Sequence, residues 1–161
     1  MTGVYSAGVL VYRRDAGRIE VLLGHMGGPF WAKKDTAAWS IPKGEYLIGE
    51  ESAREAARRE FTEELGLPVP DGTWTELGEV AYGSGSRRKT LVAWAVEGDL
   101  DPADIVAGTF EMEWPPRSGR TSVFPEIDRA AWFEPGPAYD KLVAGQRPLL
   151  ERLTAILDPA P

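Results

Sequence analysis

Two early runs rich in β-branched, aliphatic and aromatic residues, Val4 to Arg13 and Ile19 to His25, flank the turn residues Asp15, Ala16 and Gly17. Short apolar runs bounded by turn residues read as strands, so the chain is expected to open with a hairpin. Trp39-Ser40-Ile41 predicts a short third strand, stopped by Pro42. The pattern then changes. Ala53, Ala57, Phe61 and Leu65 recur every fourth residue, which at about 100° per residue draws one apolar stripe along a helix. Ser52 and Glu55 form a capping box at its start. Gly66 suits the left-handed position at its end, and Pro68 blocks continuation. The predicted helix therefore runs from Ala53 to Leu65. Trp74 to Tyr82 and Lys89 to Glu97 read as strands around Gly83-Ser84-Gly85-Ser86, with a further strand at Ala131 to Phe133. Gly98 to Glu126 is expected to be mostly irregular, because Pro115-Pro116 and Gly119 limit regular structure. Pro148 to Leu157 predicts a closing amphipathic helix. Strands and helices mixed in this order predict an α/β fold.

The register of the first helix brings Glu60, Glu63 and Glu64 onto one turn. Glu55 has Arg59 four residues on, in the favourable order, and Arg59 can also reach Glu63. Glu60 and Glu64 have no such partner in the helix pattern: they flank the apolar stripe and repel each other at i,i+4, at a cost of a few tenths of a kcal/mol. A hard divalent cation would remove that cost. Magnesium takes carboxylate oxygens, keeps several waters and completes its shell with substrate phosphates.

Residues 44 to 67, GEYLIGEESAREAARREFTEELGL, closely resemble the Nudix box. Its second half matches throughout from Arg59 to Leu67, with Phe61 as the apolar member. One departure lies upstream: Glu51 keeps the family's seven-residue spacing to Arg59, but six residues rather than five separate it from Gly44. Inside the helix an insertion would rotate the carboxylates apart. The capping box places it before Ser52, in a loop that tolerates it, and leaves Glu50 and Glu51 both open as the family's first Glu. The resemblance implies an α/β/α sandwich around a mixed sheet, as one domain over residues 1 to 161. It also implies Mg²⁺, with Mn²⁺ as an alternative, held by Glu60, Glu64 and Glu63 with the Gly44 carbonyl. Arg59, Glu51 and Gly66 then serve the structure of the box. Cleavage of a phosphoanhydride bond in a nucleoside diphosphate-linked substrate is the implied reaction. The segments GVLVYRR, VLLGH and WSIPKGE are similar to diadenosine polyphosphate hydrolases of the same superfamily. Dinucleoside polyphosphates and nucleoside triphosphates stand level as expected substrates, with nucleotide sugars behind. The competing class is a catalytically silent Nudix-fold nucleotide sensor or interaction module. Such domains typically lose box carboxylates, which are all present here.

Basic side chains must balance the rest of a polyphosphate's charge. Lys43 directly precedes the box, Lys33 and Lys34 lie in the long loop before it, and Arg87, Arg88 and Lys89 follow the glycine-serine turn. Trp31, Phe30 and Trp114 lie in loop contexts and could stack on a base, whereas Trp94 and Trp132 lie in strands and read as core. For the catalytic base the candidates are Glu63 in the box and Glu111 or Glu113 on the later segment. Glu126 and Glu134, which flank the last sheet strand, read as structural. His25 is the single histidine and also reads as structural.

Composition bounds these readings. The chain has 161 residues, 43% of them hydrophobic, enough for a sizeable core. Zero cysteines exclude disulfides and thiolate sites and permit the expected cytoplasmic location. No apolar run approaches a membrane span, and the N-terminus lacks a signal-peptide pattern. A formal charge of −7 argues against long nucleic acid as a partner, though not against a small polyphosphate bridged by a metal. The composition is compatible with a monomer or a homodimer. There is no GxxxxGK[ST] loop, GxSxG elbow or HExxH helix.

Overall fold

The opening hairpin forms as expected, with β1 (Val4–Asp15) antiparallel to β2 (Arg18–Met26). Its strands pair only between Tyr12 and Asp15 on β1 and Arg18 and Val21 on β2, and then splay. The gap is filled by the chain itself: β3 (Trp39–Ser40) pairs with β2, and β4 (Lys43–Glu45) pairs with Ser6 to Gly8 of β1. The stretch 39 to 45 thus crosses the sheet between the two strands, and Val9 donates to the Pro42 carbonyl on the way. β5 (Trp74–Tyr82) and β6 (Lys89–Glu97) extend the sheet on the other side, with β6 parallel to β1 and β5 antiparallel to β6. β9 (Ile127–Phe133) pairs with β2. The result is a seven-stranded mixed sheet in a computed structural model that describes residues 4–158.

Helix α1 (Ala53–Leu65) covers one face. Ser52 accepts the Glu55 N–H at 3.2 Å, and Gly66 stands at φ 71° with its N–H on the Thr62 carbonyl, so both predicted ends hold. The buried row of α1 is wider than the predicted stripe: Ala56, Ala57, Phe61 and Leu65 are all fully enclosed against Ala7, Val9, Val11 and Leu22. Burial of Phe61 and Leu65 contributes about 1.5–3 kcal/mol each. On the opposite face lie α2 (Pro135–Lys141) and α3 (Arg147–Leu157), with Ala138, Leu149, Leu150 and Leu153 packed on Leu10, Leu23 and Leu91. The layers are α/β/α.

Several elements differ from the sequence reading. The segment expected to be mostly irregular contains a hairpin of β7 (Thr109–Glu113) and β8 (Thr121–Pro125), a two-stranded sheet apart from the main one. Pro115, Pro116 and Gly119 sit in its connection, where they break no ladder. α2 escapes the sequence reading because Pro135, Gly136 and Pro137 crowd its start, where a missing N–H costs nothing. β4 is too short for a period to show, and β9 begins four residues earlier than expected.

Candidate active site

Ala56, Glu60 and Glu64 follow one another at four-residue steps along α1, so the acids continue a row whose first member is buried. That row faces β4. The Glu60 carboxylate lies over Gly44, where a Cβ would fall inside its van der Waals contact, so any larger residue must displace the end of the Glu60 side chain. One turn further, Glu64 accepts the Lys43 backbone N–H at 3.3 Å. Burial pushes the Glu64 carboxyl up to about 8, against the pull of the Lys43 ammonium and backbone N–H, while Glu126 and Glu60 add repulsion. Burial also raises Glu60, with Arg59 opposing and Glu63 assisting.

Arg59 gathers the outer side of this crevice. Its Nε donates to Glu51 at 3.2 Å, its Nη1 to Glu60 at 2.8 Å and to Glu63 at 3.2 Å, and its Nη2 reaches the Glu45 carbonyl at 3.4 Å. Two sequence expectations are thereby corrected. Glu60 does have a partner, its immediate neighbour Arg59. Glu55 does not take Arg59, because that guanidinium is drawn to Glu51 and Glu45 outside the helix; Glu55 is held instead by Ser52. Glu51, rather than Glu50, is the residue that engages Arg59, and Arg59 lowers its carboxyl. The extra residue is absorbed in the turn at residues 46 to 50, where Glu50 donates its N–H to Leu47.

A family model described as NUDIX domain matches residues 4–153. The chain belongs to the NUDIX family. Membership makes it a hydrolase of phosphoanhydride bonds. No curated protein matched the sequence. Among solved structures, the NUDIX chain is similar to the Ap4A hydrolase of C. elegans in a binary complex, with 25% identity, a TM-score of 0.69, and coverage of 96% of this chain and 97% of that one. It shares its fold with the MutT protein of Methanosarcina mazei Go1 (18% identity, TM-score 0.62, 98% and 96% coverage). The same holds for the NUDIX domain of Shewanella oneidensis NrtR complexed with ADP ribose (13%, 0.63, 98% and 90%).

In this NUDIX fold the other named residues scatter. Lys43 stands at the crevice, paired with Gly8 of β1. Lys89 pairs with Val4 on the other side of β1, four residues or roughly 13 Å along the strand. Arg87 and Arg88 are exposed beside it on the same turn. Lys33 and Lys34 are exposed on the loop after β2; the Lys34 ammonium covers the Trp31 ring at 5.1 Å, and Trp31 itself packs toward the α3 side of the core. Phe30 and Trp114 meet edge to face at 5.4 Å, joining that loop to the β7–β8 hairpin. Glu63 points to solvent and Arg59. Glu111 lies on the exposed face of β7, opposite Val123. Glu113 is spent on the hairpin connection, accepting the Arg117 and Gly119 N–H groups at 3.0 and 3.2 Å.

Two further residues bear on the crevice. Glu126, read as structural, sits between β8 and β9 with its charge felt at Glu64; its backbone is fixed by Gly108 and Gly27. The sequence signal was a lone acid directly before a sheet strand. Gln146, buried before α3, accepts the Ile41 N–H at 3.0 Å and donates to the Ser40 hydroxyl at 2.9 Å, pinning the stretch that ends in Lys43 and Gly44. No sequence pattern announces it.

Among the described residues no three acidic or histidine side chains converge tightly enough to hold an ion as they stand. The donor chemistry nonetheless fits a hard cation. Glu64 is a desolvated carboxylate with a single weak backbone partner, and Gly44 leaves open the space that Glu60 occupies. A cation would compete with Arg59 for Glu60 and leave Arg59 its bonds to Glu51 and Glu63.

Proposed function

We propose that this NUDIX hydrolase is Mg²⁺-dependent and cleaves a nucleoside diphosphate-linked phosphoanhydride, with dinucleoside polyphosphates and nucleoside triphosphates as the favoured classes. The carrying observation is the pair Glu60 and Glu64 turned into the crevice at Lys43 and Gly44, with Glu64 desolvated. Glu60 and Glu64, with Glu63 and the Gly44 carbonyl in support, would hold the cation. Bound there, Mg²⁺ supplies charge neutralisation on phosphate and acidifies an attacking water. Lys43 balances phosphate charge at the crevice, and Lys89 with Arg87 at the neighbouring edge receives the more distant phosphates. Lys33, Lys34 and Trp31 belong to the loop that borders the substrate on the other side. For proton transfer we favour Glu126, because its charge reaches Glu64; Glu63, engaged by Arg59, and Glu111, on the outer face of β7, are the competitors. A cytoplasmic setting, where nucleotides and Mg²⁺ meet, is part of this reading.

The test is a hydrolysis screen over dinucleoside polyphosphates, nucleoside triphosphates and nucleotide sugars with Mg²⁺, Mn²⁺ or chelator, products identified by mass. Turnover that requires the divalent ion and yields a nucleotide product supports the reading. Turnover unaffected by chelator, or none on any class, overturns it.

A further inference from the structure

His25 is fully buried at the end of β2, yet both ring nitrogens are used. Nε2 lies 2.6 Å from the Lys34 carbonyl, and Nδ1 lies 2.9 and 3.0 Å from the two oxygens of Asp128. Both partners are oxygen atoms, so each ring nitrogen faces its own acceptor. Trp39 stands edge-on to the ring at 5.1 Å and keeps water out; Arg129, paired with Asp128 at 3.3 Å, covers Trp39. Each arm of the imidazole ends on a different element, the loop after β2 and strand β9. Lys34 belongs to the loop after β2, which also carries Lys33. Asp128 stands two residues after Glu126, whose carbonyl accepts the Gly27 N–H at 3.0 Å.

We propose that His25 is a positioning residue that couples the Lys33–Lys34 loop to the Glu126 end of β9, one ring nitrogen serving each. The inference rests on the functional reading above for its kinetic consequences, and on geometry alone for the coupling. A buried polar strut of this kind costs more to cut than to keep, because the severed acceptor stays desolvated. Cutting one arm should therefore release one of the two elements and spare the other.

The two amide residues separate the arms. The nitrogen of Asn matches the reach of Nδ1, and that of Gln the reach of Nε2. Hydrogen exchange of residues 28 to 38 is measured by mass in wild type, His25→Asn and His25→Gln, alongside kcat and KM for diadenosine tetraphosphate and ATP with Mg²⁺. In His25→Asn the loop amides should exchange at least about tenfold faster, with KM raised and kcat near wild type. In His25→Gln they should stay protected, with kcat lowered roughly ten- to a hundredfold, the scale of a small misplacement of a reacting group. Equal loosening in both variants, or kcat and KM worsening together in step with lost melting temperature, would make His25 an ordinary core residue. Should neither variant fold, Asp128→Ala on β9, which removes the acceptor, gives the same reading: lowered kcat with an unchanged loop supports the coupling, and a loosened loop overturns it. Failure of wild type to hydrolyse either nucleotide sinks the functional reading, while the exchange arm still decides the coupling.

Discussion

Two pairs of glutamates lie on two faces of this molecule, Glu60 with Glu64 on α1 and Glu111 with Glu113 on β7, and they have opposite fates. Each pair shares a face by the period of its element. On α1 the shared face is an edge of the buried row, closed by Gly44 and Lys43, so desolvation raises both carboxyls and leaves Glu64 short of partners. On β7 the shared face is the outer one of a two-stranded sheet: Glu111 meets solvent, and Glu113 is consumed by two backbone N–H groups. Charge density along a sequence is therefore weak information about chemistry. What closes over the charge decides its use.

The comparison breaks first if the α1 pair is dispensable. Glu60→Gln or Glu64→Gln should lower kcat on the order of 10²–10³-fold, the scale for losing one electrostatic stabiliser, while Glu111→Gln stays near wild type; the reverse pattern at saturating Mg²⁺ would move the chemistry to the hairpin. Next comes Glu126→Gln, for which a loss of about 10²-fold in kcat is expected with metal affinity little changed, as for a proton acceptor. A larger loss in Glu63→Gln at matched metal occupancy would return the role to the box. Gly44→Ala should fold, because the added methyl meets the end of the Glu60 side chain, held by Arg59, and no backbone atom. It should weaken the metal by roughly tenfold, read as a smaller Mg²⁺-induced rise in melting temperature.

The fourth effect is in pH. Glu64 titrates near 8 in the fold and near 4.3 in the unfolded chain. Between those values the folded state binds more protons, so metal-free stability should fall as pH climbs from about 5 through 8. Thermal melts across that range, with and without Mg²⁺, check this; the decline should shrink in Glu64→Gln and with the ion present, and an equal decline in all three would assign it elsewhere. Smallest is Glu113→Ala, which removes two exposed bonds and should cost about 1 kcal/mol, visible by denaturant titration with kcat unchanged.

How much of this was legible beforehand follows the length scale of the signal. Capping, stripe and stop signals are local, so α1 was placed to the residue, and with it the row of acids. Arg59 misled because Glu51, which takes both its Nε and Nη2, lies outside the helix pattern. The β7–β8 hairpin was hidden by prolines that turned out to occupy its connection. Glu126 and Gln146 depend on contacts between distant parts of the chain, about which periodicity is silent.

That distance has a consequence for synthesis. Gln146 grips Ile41 across 105 residues, and a chain emerges from the ribosome N-terminus first. Every box residue is translated long before its strut. A nascent or truncated chain that stops short of Gln146 carries the complete motif without the bonds that tie Ser40 and Ile41, just before Lys43, to the start of α3. Removing residues 146 onward should therefore loosen residues 39 to 41 while every box residue remains in the chain.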